Sequence, residues 1–128
     1  MKIVMFTNLY LPFVGGVAQS VKRFTKGYRE RDHRVIIVSP EFEDQPEHET
    51  DVIRMPAIQN WNGTDFSVAL PLSADLTEAM DEFQPHVIHT HHPHILGATA
   101  LRLAAHLRQP IVNTHHTRYE FYTHYVPV

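Results

Sequence analysis

Short Val- and Ile-rich runs, set apart by amphipathic helical stripes, constrain the fold of this chain more than any other feature. "KIVMF" (2–6), "RVIIVS" (34–39), "HVIHTH" (86–91) and "IVNTH" (111–115) show no strict polar alternation. Such strands are apolar toward both faces, as in a parallel sheet covered by crossover helices. Between the first two runs, Val17, Val21, Phe24 and Tyr28 recur at helical spacing, with Lys22, Arg23, Lys26 and Glu30 on the other face. That spacing predicts a helix of about four turns, ending near Asp32. Leu72, Leu76, Met80 and Phe83 predict a second helix with Ser73 as its N-cap. Leu96, Ala100, Leu103, Ala104 and Leu107 predict a third, with Pro93 in its first turn. "DVIRMP" (51–56) reads as a short strand toward an edge, and 41–50 as a solvated acidic loop. Residues 57–71 carry a turn signal, "NWNG", but no readable period. The expected fold is α/β, a doubly wound parallel sheet built as a single domain over 1–128.

Composition narrows the partners. A net charge of −3 gives no electrostatic case for nucleic acid. No cysteine occurs, so a disulfide framework and a thiolate site are both excluded, which fits a reducing compartment. The opening apolar run is broken by Thr7, Asn8, Pro12 and two glycines, so it reads as a strand rather than a signal peptide. No stretch approaches the roughly 20 apolar residues of a membrane span.

Ligands of open α/β sheets gather beyond the carboxyl ends of the strands. Three unusual loops lie there. Gly15-Gly16 precedes the first helix, where glycine lets backbone N–H groups approach an anion, although a turn requiring positive φ would also use it. "HTHHP" puts His89 and His91 on one side of a strand, with His92 at its mouth. An H-x-H at a strand end can ligate a metal in a hydrolase, yet no Asp or Glu occurs between Phe83 and Tyr119 to join it. The same histidines can instead be packed and hydrogen-bonded within the sheet. In "THHT", Thr117 and Glu120 match a capping box, which predicts a helix starting at 118 beside His116. Tyr119, Phe121, Tyr122 and Tyr125 cannot share one helical face, so some of them should line a groove or a partner surface. From the residues alone, a metal-dependent hydrolase and a non-catalytic binding module both stay open.

The ordered set of "VGGVAQSV" (14–21), "HVIHTHHP" (86–93) and "IVNTHHTRYEFYTHYVP" (111–127) resembles the N-terminal half of retaining GT-B glycosyltransferases of family 4. The ending resembles the branch that glycosylates diacylglycerol and related lipids. The resemblance implies that Gly15, Gly16 and Val17 close on the diphosphate of a nucleotide-sugar donor, UDP-glucose by analogy. It implies that His116 is the catalytic candidate, contacting the donor sugar, with His115 a variable neighbour. It places Gln19, His89, His91, Arg118, Glu120 and Tyr122 on the side of the acceptor, a lipid or other hydroxyl compound. Neither a metal nor another cofactor is implied. Asp32, where the family usually has glycine, and His86, where it has aspartate, depart from the pattern. The second Rossmann-like domain, with its E-x7-E segment, is expected to lie outside these residues, so the chain alone is expected to be inactive. The parent enzyme is expected to be cytoplasmic and peripheral on the inner membrane face. Lys22, Arg23, Lys26 and Arg29 would then face anionic lipid.

Overall fold

In a computed structural model, which describes residues 1–60, 63, 67–69 and 74–116, strand and helix alternate except for four successive strands between the first two helices. The elements are β1 (Lys2–Phe6), α1 (Gly16–Glu30), β2 (Arg34–Pro40), β3 (Val52–Met55), β4 (Ala57–Ile58) and β5 (Val68–Ala69). α2 (Ala74–Phe83), β6 (Val87–Thr90), α3 (Leu96–Leu107) and β7 (Ile111–Asn113) follow. Five strands form one parallel sheet in the order β3-β2-β1-β6-β7, and β4 pairs antiparallel with β5 in a separate ribbon. The doubly wound parallel sheet is therefore present, with β3 at an edge as its short run suggests.

Side-chain alternation splits the core into two layers. Ile3 and Met5 of β1, with Val35 and Ile37 of β2, pack under Val21, Phe24 and Tyr28 of α1. Val4 and Phe6 point the other way, joining Val38 and Ile88 against Leu76, Met80 and Phe83 of α2 and Leu96, Ala100 and Leu103 of α3. Each such burial is worth roughly 1.5–3 kcal/mol, so the pleat of β1 alone joins both layers. α1 ends as the sequence suggests, with Asp32 at φ 63° and its N–H donated to the Arg29 carbonyl. Aspartate tolerates that left-handed conformation.

Four elements differ at a boundary from the sequence expectation. α3 starts at Leu96, so Pro93 lies in the preceding loop rather than in the first turn. Asn8 holds that loop open, its Nδ2 donating to the His94 carbonyl at 3.0 Å and its Oδ1 accepting the Leu96 N–H at 3.1 Å. β2 runs through Pro40, which needs no ladder N–H at the end of a strand, and its carbonyl accepts from Arg54. β6 and β7 stop at Thr90 and Asn113, where the chain turns to build the site. Ser73, the helix expected from 118 and the aromatics after it lie outside the described residues.

Candidate functional site

β1 leads to β2 and β3 on one side of the sheet and adjoins β6 on the other, so the loops after β1 and β6 part at a topological switch point. Asn8 bridges the two loops. Besides its bonds to the β6–α3 loop, its backbone N–H donates to Nδ1 of His92 at 3.1 Å. His92 must therefore be unprotonated at Nδ1. Burial, with repulsion from His116 and His94, lowers its pKa to about 4. Gly97 completes this arrangement, because a Cβ there would stand 1.9 Å from the His92 carbonyl oxygen. Only glycine lets α3 approach the loop so closely.

The histidines of the β6 strand end form a stack. His89 is buried on the α1 side, with Nδ1 3.1 Å from the Tyr28 hydroxyl and Nε2 2.7 Å from Oγ1 of Thr114. Both of its ring nitrogens are thus engaged. Its ring stacks on His91 at 4.3 Å between centroids, and the Phe24 ring sits at a steep angle to both. His91 Nδ1 lies 2.9 Å from Nε2 of His116, the half-buried residue that follows β7 by three positions. Thr114 secures that approach, its N–H bonded to the Thr90 carbonyl at 2.9 Å. Burial is the main cause that lowers the pKa of His91 to about 3, with repulsion from His89, His116 and His92 adding to it. Burial also lowers His89 and His116. The array is a set of neutral rings that resists holding charge, and of His89, His91 and His116 only the last is part-exposed and open to a polar ligand. Among the described residues no group of three His, Asp or Glu side chains is arranged to hold a metal ion.

The diglycine adopts a different conformation from a tight turn. Gly15 is the N-cap of α1 with extended backbone (φ −175°), and Gly16 lacks positive φ as well. A Cβ on Gly15 would meet Phe13 at 3.0 Å, whereas one on Gly16 would meet nothing within 4 Å. Close packing explains Gly15, and open space lies over Gly16. The first turn of α1 has no side-chain cap and no acidic residue. Its N–H groups and positive dipole end are therefore without a carboxylate competitor there. Val17 packs against the α1-side core, and Gln19 is exposed with its N–H on the Gly15 carbonyl. Arg118, Glu120 and Tyr122 lie outside the described residues.

Arg54 anchors the diglycine loop. Its guanidinium makes two 2.7 Å bonds to the Glu49 carboxylate and donates to the carbonyls of Pro40 and Leu11, with the rings of Tyr10 and Phe42 over it. A cavity of about 530 Å³ opens next to this clasp, its lining including Phe13, Phe42, Gln59 and Asn60 together with the acidic Glu43 and Asp44. Sequence reasoning missed Asn8, Arg54, Thr114 and Gly97. Only Gly97, a glycine within a helical stripe, carries a local signal. Lys22, Arg23, Lys26 and Arg29 are all exposed on α1, although Lys26 lies 3.8 Å from Glu30 and Arg29 4.0 Å from Asp51. Among the described residues no helix is long and apolar enough to cross a membrane.

A parallel sheet of this order, with helices on both faces, an open glycine-led helix N-terminus and polar groups at the switch point, is the Rossmann-like N-terminal half of a GT-B fold. The chain belongs to glycosyltransferase family 4, whose sequence profile matches residues 14–127. It is 31% identical over 127 residues to the alpha-monoglucosyldiacylglycerol synthase of Streptococcus pneumoniae, covering 98% of this chain and 29% of the relative. Against the alpha-monoglucosyldiacylglycerol synthase of Acholeplasma laidlawii the identity is 33%, covering 98% and 32%. A GDP-mannose-dependent alpha-mannosyltransferase of Corynebacterium glutamicum is 26% identical, covering 91% and 29%. The chain thus spans about a third of the length of these curated relatives and resembles the lipid glucosyltransferase branch.

Proposed function

We propose that these residues form the acceptor-side half of a retaining hexosyltransferase that moves glucose from UDP-glucose to a diacylglycerol-type lipid. The observation that carries the reading is the shared placement, at one carboxyl edge of the sheet, of the uncapped α1 N-terminus behind Gly15-Gly16 and the His91–His116 pair. In transfer, the bond from the anomeric carbon to the donor diphosphate breaks, and the acceptor hydroxyl oxygen bonds to that carbon and releases its proton. Charge builds on the departing diphosphate. Backbone N–H groups at Gly16 and Val17, with the helix dipole, are suited to stabilise it without a metal. A hydrogen-bonding His116 would hold the sugar in the attack geometry.

Gln19, exposed in the first turn of α1, and Arg118, Glu120 and Tyr122 are assigned to the acceptor. His89 and His91, expected on the acceptor side, are both buried and would act through their neighbours. Peripheral binding to an anionic inner membrane face through Lys22, Arg23, Lys26 and Arg29 belongs to the same reading, as does completion of the donor site by a further domain. The two synthase relatives support the lipid acceptor by similarity.

The test is transfer by the full-length protein from labelled UDP-glucose and GDP-mannose to diacylglycerol, glucosyldiacylglycerol and a soluble alcohol, with the anomeric configuration read by NMR. Glucose on a lipid in α linkage is expected, with turnover lowered about tenfold or more in His116→Ala. Preference for GDP-mannose would overturn the donor assignment, and transfer only to the soluble alcohol would overturn the lipid. Unchanged turnover in His116→Ala would reject its role.

A further inference from the structure

His91 presents a contradiction that packing does not resolve. It is 1% exposed, yet among the described residues its buried Nε2 has no hydrogen-bond partner. An apolar ring would fill the same slot and leave no nitrogen unpaired, so what the imidazole adds over such a ring is its other nitrogen. That nitrogen, Nδ1, faces Nε2 of His116 at 2.9 Å.

We propose that His91 is a positioning residue for His116: it occupies Nε2 of the His116 ring, fixes its rotamer and tautomer, and leaves Nδ1 as the atom offered to a ligand.

Each part of the pair is immobilised from behind. The His91 backbone N–H donates to the Phe6 carbonyl at 2.9 Å, locking the residue to the end of β1. Its ring lies between the stacked His89 ring and the edge-on Phe24 ring, which removes rotational freedom. His89 in turn is held at both nitrogens by Tyr28 and Thr114, and Thr114 registers the chain leading to His116 against β6. His116 is only half-buried, and a ring with that exposure would exchange rotamers and tautomers rapidly if nothing held it.

The pair also obeys a strict proton count. Burial keeps His91 neutral near pH 7, with a pKa of about 3, so one N–H lies between the rings and each ring has one other nitrogen. On His91 that atom is the buried Nε2. On His116 it is Nδ1, whose protonation is then dictated by which ring donates. The tautomer of a half-exposed histidine is thus set by a buried one, as a hydrogen bond at one imidazole nitrogen sets the state of the other. Its functional consequence rests on the glycosyl-transfer reading above; the pairing itself does not.

Imidazole ¹⁵N NMR on full-length protein labelled with ¹⁵N-histidine tests the proposal. A through-hydrogen-bond N–N coupling between His91 Nδ1 and His116 Nε2 is expected, with one fixed neutral tautomer for each ring. The coupling should vanish in His91→Phe, which keeps the slot filled. His91→Asn places an amide at the Nδ1 position and should keep His116 in one tautomer. His91→Gln reaches toward the Nε2 position and should release His116 into tautomer averaging. Averaging of His116 in the unmodified protein would overturn the proposal.

In the transfer assay, turnover should fall about tenfold or more in His91→Gln and His91→Phe and stay within about threefold in His91→Asn. A present coupling with unchanged turnover in His91→Gln would overturn the positioning role. If His116→Ala itself leaves turnover unchanged, the sugar-contact reading fails, while the coupling still decides the pairing.

Discussion

Arg54 and the histidine stack are both buried polar constructions at the carboxyl edge of one sheet, and they solve opposite problems. Arg54 keeps its charge inside the protein. Its side chain is 7% exposed, but Glu49 and two backbone carbonyls accept four hydrogen bonds from the guanidinium. His91 and His92 are equally enclosed, and with no carboxylate among their partners they give up charge altogether. Burial alone therefore does not decide the state of an ionisable group; the chemistry of its neighbours does. The charged clasp holds the loop that leads to the diglycine, whereas the neutral stack backs His116, the half-buried ring among them.

The sharpest way to break the contrast is Arg54→Ala, which leaves the Glu49 carboxylate and two carbonyls without their partner. A loss of about 3–5 kcal/mol is expected by urea unfolding, and a loss below about 1 kcal/mol would refute the clasp. The histidines should respond to pH. Because their folded pKa values, about 3 for His91 and about 4 for His92, lie below the unfolded value of 6.5, their contribution is complete above pH 6.5 and is lost as pH falls, down to about 4 for His92 and about 3 for His91. Each should give a slope of roughly 1.4 kcal/mol per pH unit below about pH 6. Unfolding curves at pH 7, 6 and 5 check this, and His91→Phe should flatten the dependence. His89→Phe, which strands the Tyr28 and Thr114 hydroxyls, should cost about 1–2 kcal/mol in a thermal melt at pH 7. Lys26→Ala, breaking an exposed helix pair with Glu30, should change stability by less than about 0.5 kcal/mol. A larger loss would show that surface pairing matters here as the buried clasp does.

The sheet was legible because Val- and Ile-rich strands and 3.6-residue stripes are local patterns. The diglycine and the histidine-rich strand ends also stood out locally, although the conformation of the glycines did not. Gly15 lies tight against the Phe13 ring with an extended backbone, and no sequence spacing reveals that. Nor could spacing show that His91 meets His116 across two strand ends, or that Arg54, in an unremarkable "VIRM", reaches Glu49, Pro40 and Leu11. Those contacts depend on strand order and register. The ribbon of β4 and β5 escaped notice because two-residue strands are too short to show a period.

Asn8 also constrains how the molecule assembles in time. Its hydrogen bonds join it to His92, His94 and Leu96, residues 84, 86 and 88 positions further along the chain. Closing so long a loop is entropically unfavourable until β6 has docked on β1, so these bonds belong late on the folding path. Asn8→Ala should then accelerate unfolding and leave the refolding arm of a chevron nearly unmoved, a result that slowed refolding would contradict. That result would make the switch point a late-closing part of the sheet, whose loops can loosen while the strands beneath them remain folded.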